Sequence, residues 1–337
     1  MGLSETPGAG VRGTLVRTAL LCLLSAAAAR TQTYVLIVSG LGGDSVYSKR
    51  FAALSRDLTS ALHDRAGIPL GNIVRLGEDS MRAEPSYAGR STRQRVEQEF
   101  ASVVARAEPR STVVLALIGH GAGEGAESRL SIPGPDLTAT DFARMLGRLT
   151  TQRVAVLDLS SASGDMLALL SAPTRVVITA TKTSLERNES HFATFFVKAY
   201  SVSGADTDKD GRVSLLEAFR YAAAETKRFY ESENKIQTEH AQLDDNGDRV
   251  GSAAPDARAG DGVVARRFFL DARSVAARGN DARLPALYDE QLVLEDSVEA
   301  LKHRKLQLLA SVYGDELERL LIALARKART IRVIEGR

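Results

Sequence analysis

Thr112-Val-Val-Leu-Ala-Leu-Ile-Gly119-His120-Gly121 and Arg153-Val-Ala-Val-Leu-Asp158-Leu-Ser160-Ser161-Ala-Ser163-Gly164 decide how this chain is read. Each is a near-continuous apolar run that stops at glycine and small polar residues, as a strand buried on both faces does when it turns at its carboxyl end. Tyr34 to Ser39, Asn72 to Leu76 and Val176 to Ala180 are runs of the same kind. Between the runs, Ser48 to Asp64, Thr92 to Ala107, Thr140 to Leu149, Met166 to Leu170 and His191 to Ser201 carry apolar residues at helical spacing. This alternation predicts an α/β fold, a mostly parallel sheet with helices on both faces. Ligands of such sheets bind at the carboxyl ends of the strands, which directs attention to the loops Gly40 to Asp44, Gly119 to Gly125, Asp158 to Asp165 and Thr181 to Ser190.

The chain has 337 residues, 44% apolar and 26% charged, enough to bury a sizeable core and too apolar for disorder. Its net charge of +2 offers no basic footprint for nucleic acid. Arg12 and Arg17, then the apolar run Thr18 to Ala29 ending in small residues, read as a secretory signal over residues 1–31. The run is too short to span a bilayer. Export to the periplasm or the extracellular space is therefore expected, with no stable membrane span after cleavage. The only cysteine, Cys22, would leave with the signal, and with it thiol and disulfide chemistry.

Asp206-Thr-Asp208-Lys-Asp210-Gly211-Arg212-Val-Ser214-Leu-Leu-Glu217 has the ligand spacing of a calcium loop. Such a loop needs side-chain oxygens at its first, third and fifth positions and a glycine at the sixth for the turn. It also needs a backbone carbonyl at the seventh, here Arg212, a ligand at the ninth, here Ser214, and a bidentate carboxylate at the twelfth, here Glu217. Helical patterns flank the loop, so an EF-hand over 206–217 and Ca²⁺ as cofactor are expected. Asp244-Asp245-Asn246-Gly247-Asp248 has Arg249 at the glycine position and no acid at the twelfth, and reads as a solvated loop or a half-site.

Residues 251–266, rich in Gly, Ala, Asp and Pro, predict a linker, and 267–337 a helical region. Leu287, Leu294, Leu301 and Leu308, then Leu317, Leu324 and Ile331 after Gly314-Asp315, recur at sevenfold spacing and predict an antiparallel helical hairpin. Its stripe either packs within the hairpin and the sheet domain or forms a homodimer through the C-terminal helices.

His120 and Ser160, 40 residues apart, would meet at neighbouring strand ends. Taken alone, a histidine between glycines suits a turn as well as a general base. With the order of elements, however, these strand ends resemble the caspase and legumain-like peptidases over roughly Tyr34 to Ser201. In that family one strand ends in His-Gly, and the next ends in an acid or glutamine, a small residue and the nucleophilic cysteine. Asp158-Leu159-Ser160 stands at that place, and Thr179-Ala180-Thr181 is similar to legumain's Thr-Ala-Ser. The resemblance implies a caspase-like three-layer sandwich over residues 32–250. It also implies His120 as base, Ser160 at the nucleophile position, Gly121 with Ser160 as oxyanion donors, and Asp158 shaping a substrate pocket. Serine in place of cysteine needs a positioned base and a third group to orient it, and no third group is evident. The expected function is an exported, calcium-binding pseudo-peptidase that holds an extended peptide or protein ligand. A hydrolase using a Ser160–His120 dyad is the alternative.

Overall fold

The computed structural model describes residues 2, 32–78, 84–173, 175–207, 212–256, 258, 260–270, 281 and 283–335. The expected signal segment therefore lies outside the described residues apart from Gly2. The described strands are β1 (Thr33–Ser39), β2 (Ile73–Gly77), β3 (Tyr87–Arg90), β4 (Thr112–Ile118), β5 (Gly121–Ala122), β6 (Arg129–Leu130), β7 (Leu137–Thr138), β8 (Arg153–Asp158), β9 (Arg175–Thr179) and β10 (Gln242–Asp244). The described helices are α1 (Ser45–Ser60), α2 (Arg93–Arg106), α3 (Ala139–Leu146), α4 (Leu167–Leu170), α5 (Phe192–Ala199), α6 (Leu215–Ser232), α7 (Leu284–His303) and α8 (Ala310–Glu335). The fold is α/β, with seven strands in the order β10-β9-β8-β4-β1-β2-β3, all parallel except β10. Strands β5, β6 and β7 form a small antiparallel sheet beside it.

Alternation along the buried strands sends side chains to two cores. Val35, Ile37, Val114, Ala116, Ala155 and Leu157 pack on one face with residues of α1, α5 and α6. Tyr34, Leu36, Val38, Val113, Leu115 and Leu117 pack on the other with residues of α2 and α3. Every residue of β1 and β4 is buried, which is why these runs carry no polar alternation. Local signals set the helix starts. Asp44 accepts hydrogen bonds from the Val46 and Tyr47 amides (2.7 and 3.0 Å) at the start of α1, and Ser214 and Glu217 form a capping box on α6.

The five expected strands are present within a residue or two, whereas β3, the β5–β7 sheet and β10 carry no signal in the sequence. All five of these strands have only two to four residues, and β10 leads into the Asp-rich turn. There, antiparallel pairing with β9 (Leu243 opposite Ile178) supplies what propensity does not.

Residues 251–266, expected as a linker, are tied to the sheet domain. Leu243 and Ser252 exchange two backbone hydrogen bonds (3.0 and 2.8 Å). The fully buried Asp245 accepts from the amides of Gly262, Val264 and Ala265 (2.9, 2.9 and 2.7 Å). Asp244 spends its oxygens on the Gly247 and Arg249 amides (2.9 and 3.1 Å), so the second acidic cluster organises its own turn.

Helices α7 and α8 form a hairpin around Val298, Leu301 and Leu320, with Leu294, Leu308, Tyr313 and Leu317 packed on them. Glu290 early in α7 pairs with Lys327 late in α8, as an antiparallel arrangement requires. Leu294, Leu301, Leu308 and Leu317 of the sevenfold series thus face into the hairpin. Arg267 ties it to the body through Glu295 (3.5 Å).

Candidate functional site

The chain leaves β1 for β2 and β3 on one side and resumes at β4 on the other, so the strand order reverses between β1 and β4. That reversal opens a crevice at the carboxyl ends of the two strands. Glycine keeps the backbones close there: the Gly40 amide donates to the Ile118 carbonyl (2.8 Å), and a methyl group on Gly119 would lie 3.2 Å from Gly40 Cα. His120 follows, half-buried, with its ring edge-on to Tyr47 (centroids 4.7 Å apart) and Phe51 (5.0 Å) of α1. Its carbonyl accepts from the Ser131 amide (2.9 Å), and no described residue hydrogen-bonds its ring. Tyr47 and Phe51 are part of this site without any warning in the sequence: Phe51 reads as an apolar position of the Ser48 to Asp64 helix, and Tyr47 lies just before that segment.

Ser160 follows β8 and is fully buried. Its hydroxyl donates to Asp158 Oδ1 (2.6 Å), and its amide reaches the same oxygen (3.2 Å). The Gly121 amide points at Ser161 Oγ (3.4 Å), and a methyl group on Gly121 would meet the Ser161 carbonyl oxygen at 2.2 Å and Ser160 Oγ at 3.4 Å. The structure thus brings the His120–Gly121 turn against the Ser160–Ser161 turn. It directs the serine hydroxyl toward Asp158, and it gives both candidate oxyanion amides acceptors inside the protein. Asp158 is itself fully buried beneath the loop, with no described partner for Oδ2. Burial pushes its carboxyl up to about 7, against the opposing pull of the Ser160 hydrogen bonds.

The other hydroxyls of this loop hold its neighbour. Ser163 Oγ accepts from the Ala180 and Thr181 amides (3.1 and 3.2 Å), and the Gly164 amide donates to Thr181 Oγ1 (3.0 Å). A methyl group on Gly164 would meet the Lys182 carbonyl carbon at 2.1 Å, so only glycine permits this approach. Asp165 joins the loops that follow β5 and β9, accepting from the amides of Gly125 (3.0 Å) and Ser184 (3.2 Å). Burial opposes its ionisation, yet those hydrogen bonds hold its carboxyl below the ordinary value. Glu186 accepts from the Lys182 and His240 amides (2.8 and 3.0 Å) and contacts His240 Nδ1 at 2.6 Å. The serine-rich stretch is therefore a set of loop fasteners.

At the Asp206–Glu217 loop, Asp208, Asp210 and Gly211 lie outside the described residues. Asp206, Arg212, Ser214 and Glu217 are described. Glu217 is buried at the start of α6, and Oε1 accepts from the Thr207 amide and hydroxyl (both 2.9 Å) while Oε2 accepts from those of Ser214 (both 2.9 Å). Burial alone would raise its carboxyl, but these donors hold it below the ordinary value. The twelfth loop position is thereby brought against the second, and the loop closes on itself. Ser214 bridges Phe269, and the Leu215 amide donates to the Phe268 carbonyl (2.8 Å), so the segment after residue 264 braces the loop from outside. Among the described residues no group of three or more His, Cys, Asp or Glu side chains is gathered as a metal site.

No protein-family model matches the chain, and no curated protein matches it. Among solved structures, it is similar to protein GSU0716 from Geobacter sulfurreducens at 10% sequence identity and a TM-score of 0.44, over 67% of this chain and 95% of that one. No described helix is long and apolar enough to cross a membrane.

Proposed function

We propose that the chain is an exported, calcium-binding relative of the caspase and legumain-like peptidases that holds an extended peptide or protein ligand at the β1/β4 crevice without cutting it. The observation that carries this reading is the burial of Ser160, whose hydroxyl is spent on Asp158. A nucleophile must reach the scissile carbonyl and share its proton with a base. Ser160 has no exposed surface, and its proton points to an acid beneath the loop. The amides that would stabilise an oxyanion serve Ser161 and Asp158 instead. What supports the family relationship is the order of motifs at the two strand ends and their meeting in space. What supports the ion site is the spacing of its oxygen-bearing residues, with Glu217 buried at the twelfth position; the hydrogen bonds it accepts from Thr207 and Ser214 would be exchanged for the ion. Asp206, Asp208, Asp210, the Arg212 carbonyl, Ser214 and Glu217 would hold Ca²⁺, which would cross-link the loop to α6.

The test is Ser160→Cys in a Cys22→Ser background, compared with the natural protein and Ser160→Ala, in calcium, against peptide libraries and a thiol reagent. Peptides are expected to bind without cleavage in all three proteins, and the introduced thiol to label only as fast as the protein opens. Turnover by the natural protein that is abolished by Ser160→Ala or His120→Ala would overturn the reading and establish a serine hydrolase. Failure of every peptide to bind would remove the holding role.

A further inference from the structure

Leu294, Leu301, Leu308 and Leu317 of the sevenfold series pack in the core of the C-terminal hairpin, yet α8 carries an adjoining apolar stripe that shares Leu317 and turns away from that core. Gly314, Leu317, Glu318, Leu321, Ile322 and Ala325 line one shallow groove, at helical spacings of three and four, with Glu318 its one charged member. Leu317 reaches inward to the hairpin core, whereas Leu321 and Ile322 remain 46% and 44% exposed. Large side chains left half in water on one helix face, beside two small residues that allow a close approach, have the shape of a helix–helix contact with one partner missing.

The charges beside the stripe identify the partner. Asp315 and Glu318 lie toward its amino-terminal end, and Arg326, Arg329 and Arg332 toward its carboxyl-terminal end. None of these five forms an ion pair with a described residue, although Glu316 pairs with Arg319 within α8 and Lys327 of α8 pairs with Glu290 of α7. A helix acidic at one end and basic at the other is complementary to itself run backwards. Two copies of α8 crossing antiparallel near Leu321 place Asp315 and Glu318 of each alongside Arg326 and Arg329 of the other. The helix dipoles also oppose in that arrangement. A parallel pair would instead stack like charges along its whole length. The geometry points to a second copy of this chain as the occupant: a twofold, antiparallel α8–α8 homodimer whose centre is Leu321 and Ile322, with the internal leucine seam left untouched. A twofold contact uses the same patch on both copies, as this stripe permits.

Sedimentation equilibrium of the full chain tests this, with circular dichroism as the check on folding. The natural protein is expected to form a concentration-dependent dimer that weakens as salt is raised. Leu321→Glu with Ile322→Glu should give a folded monomer, since both residues face away from the hairpin core. Asp315→Arg with Glu318→Arg should weaken the dimer by about tenfold or more, because basic ends then face basic ends. Adding Arg326→Glu and Arg329→Glu to that variant reverses both ends and should restore the dimer. Restoration is the decisive outcome, because only antiparallel pairing of this face predicts loss and then recovery. A natural protein that stays monomeric, dimerisation that survives Leu321→Glu/Ile322→Glu, or a charge-swapped variant that fails to recover would each overturn the proposal.

Discussion

Asp158→Asn separates the buried carboxyl's own contribution from everything else that titrates. The unfolded chain ionises this group at its ordinary value of 3.8, whereas in the folded protein burial holds it protonated up to about 7. Between those values the folded state binds a proton that the unfolded state has released, so stability falls as pH rises. The contribution is complete below the unfolded value and is lost as pH rises through about 7. At 1.36 kcal/mol per pH unit, the separation from 3.8 to about 7 amounts to on the order of 4 kcal/mol, of which roughly 3 kcal/mol falls between about pH 5 and about pH 8. Asparagine keeps an oxygen to accept from Ser160 and cannot ionise. Its amide nitrogen takes the unpartnered place of Oδ2, a pH-independent cost of about 1–3 kcal/mol. Urea unfolding of both proteins at a series of pH values gives the difference in stability. Other raised carboxyls, Glu239, Asp245 and Asp261, cancel in that difference. The variant should gain on the natural protein steadily from about pH 5 and level off near pH 8. Parallel stability curves would refute the argument, for they would mean that Asp158 reaches water or a cation when it ionises.

Three further outcomes are expected. Removing the Ser160 hydroxyl with Ser160→Ala should cost about 1.5–3 kcal/mol near pH 8, where it donates to a carboxylate, and less near pH 5, as read from urea midpoints. Gly121→Ala drives a methyl group to 2.2 Å from the Ser161 carbonyl oxygen, and should cost about 1–3 kcal/mol or more by separating the two turns, measured the same way. Calcium at about a hundred times its Kd should add about 2.7 kcal/mol of stability, seen as a rise in melting temperature that chelator reverses and that Asp206→Ala and Glu217→Gln abolish. An unchanged melting temperature in chelator and in calcium would remove the ion from the proposal.

The parts of the fold whose signals are local were legible in the amino-acid order alone. Continuous apolar runs at Thr112 to Leu117 and Arg153 to Leu157 state that these strands are covered on both faces, and alternation with helical segments then leaves a mostly parallel sheet as the consistent arrangement. The sevenfold leucines likewise announce a hairpin, because two such helices can cover each other. Edge strand β10 was not legible, since its Gln-Leu-Asp gains its conformation from β9 rather than from its own propensity. Nor was the role of Asp245, which reads as a surface acid until the amides of Gly262, Val264 and Ala265 arrive around it. The candidate site divides along the same line. That His120 and Ser160 stand at neighbouring strand ends follows from motif order, but the target of the Ser160 hydroxyl does not. Long-range packing sets it, because a hydroxyl turns about one bond, and the Gly119 to Gly121 turn that lies against Ser160 and Ser161 comes from elsewhere in the chain. Once water is excluded, the adjacent Asp158 is the acceptor it finds.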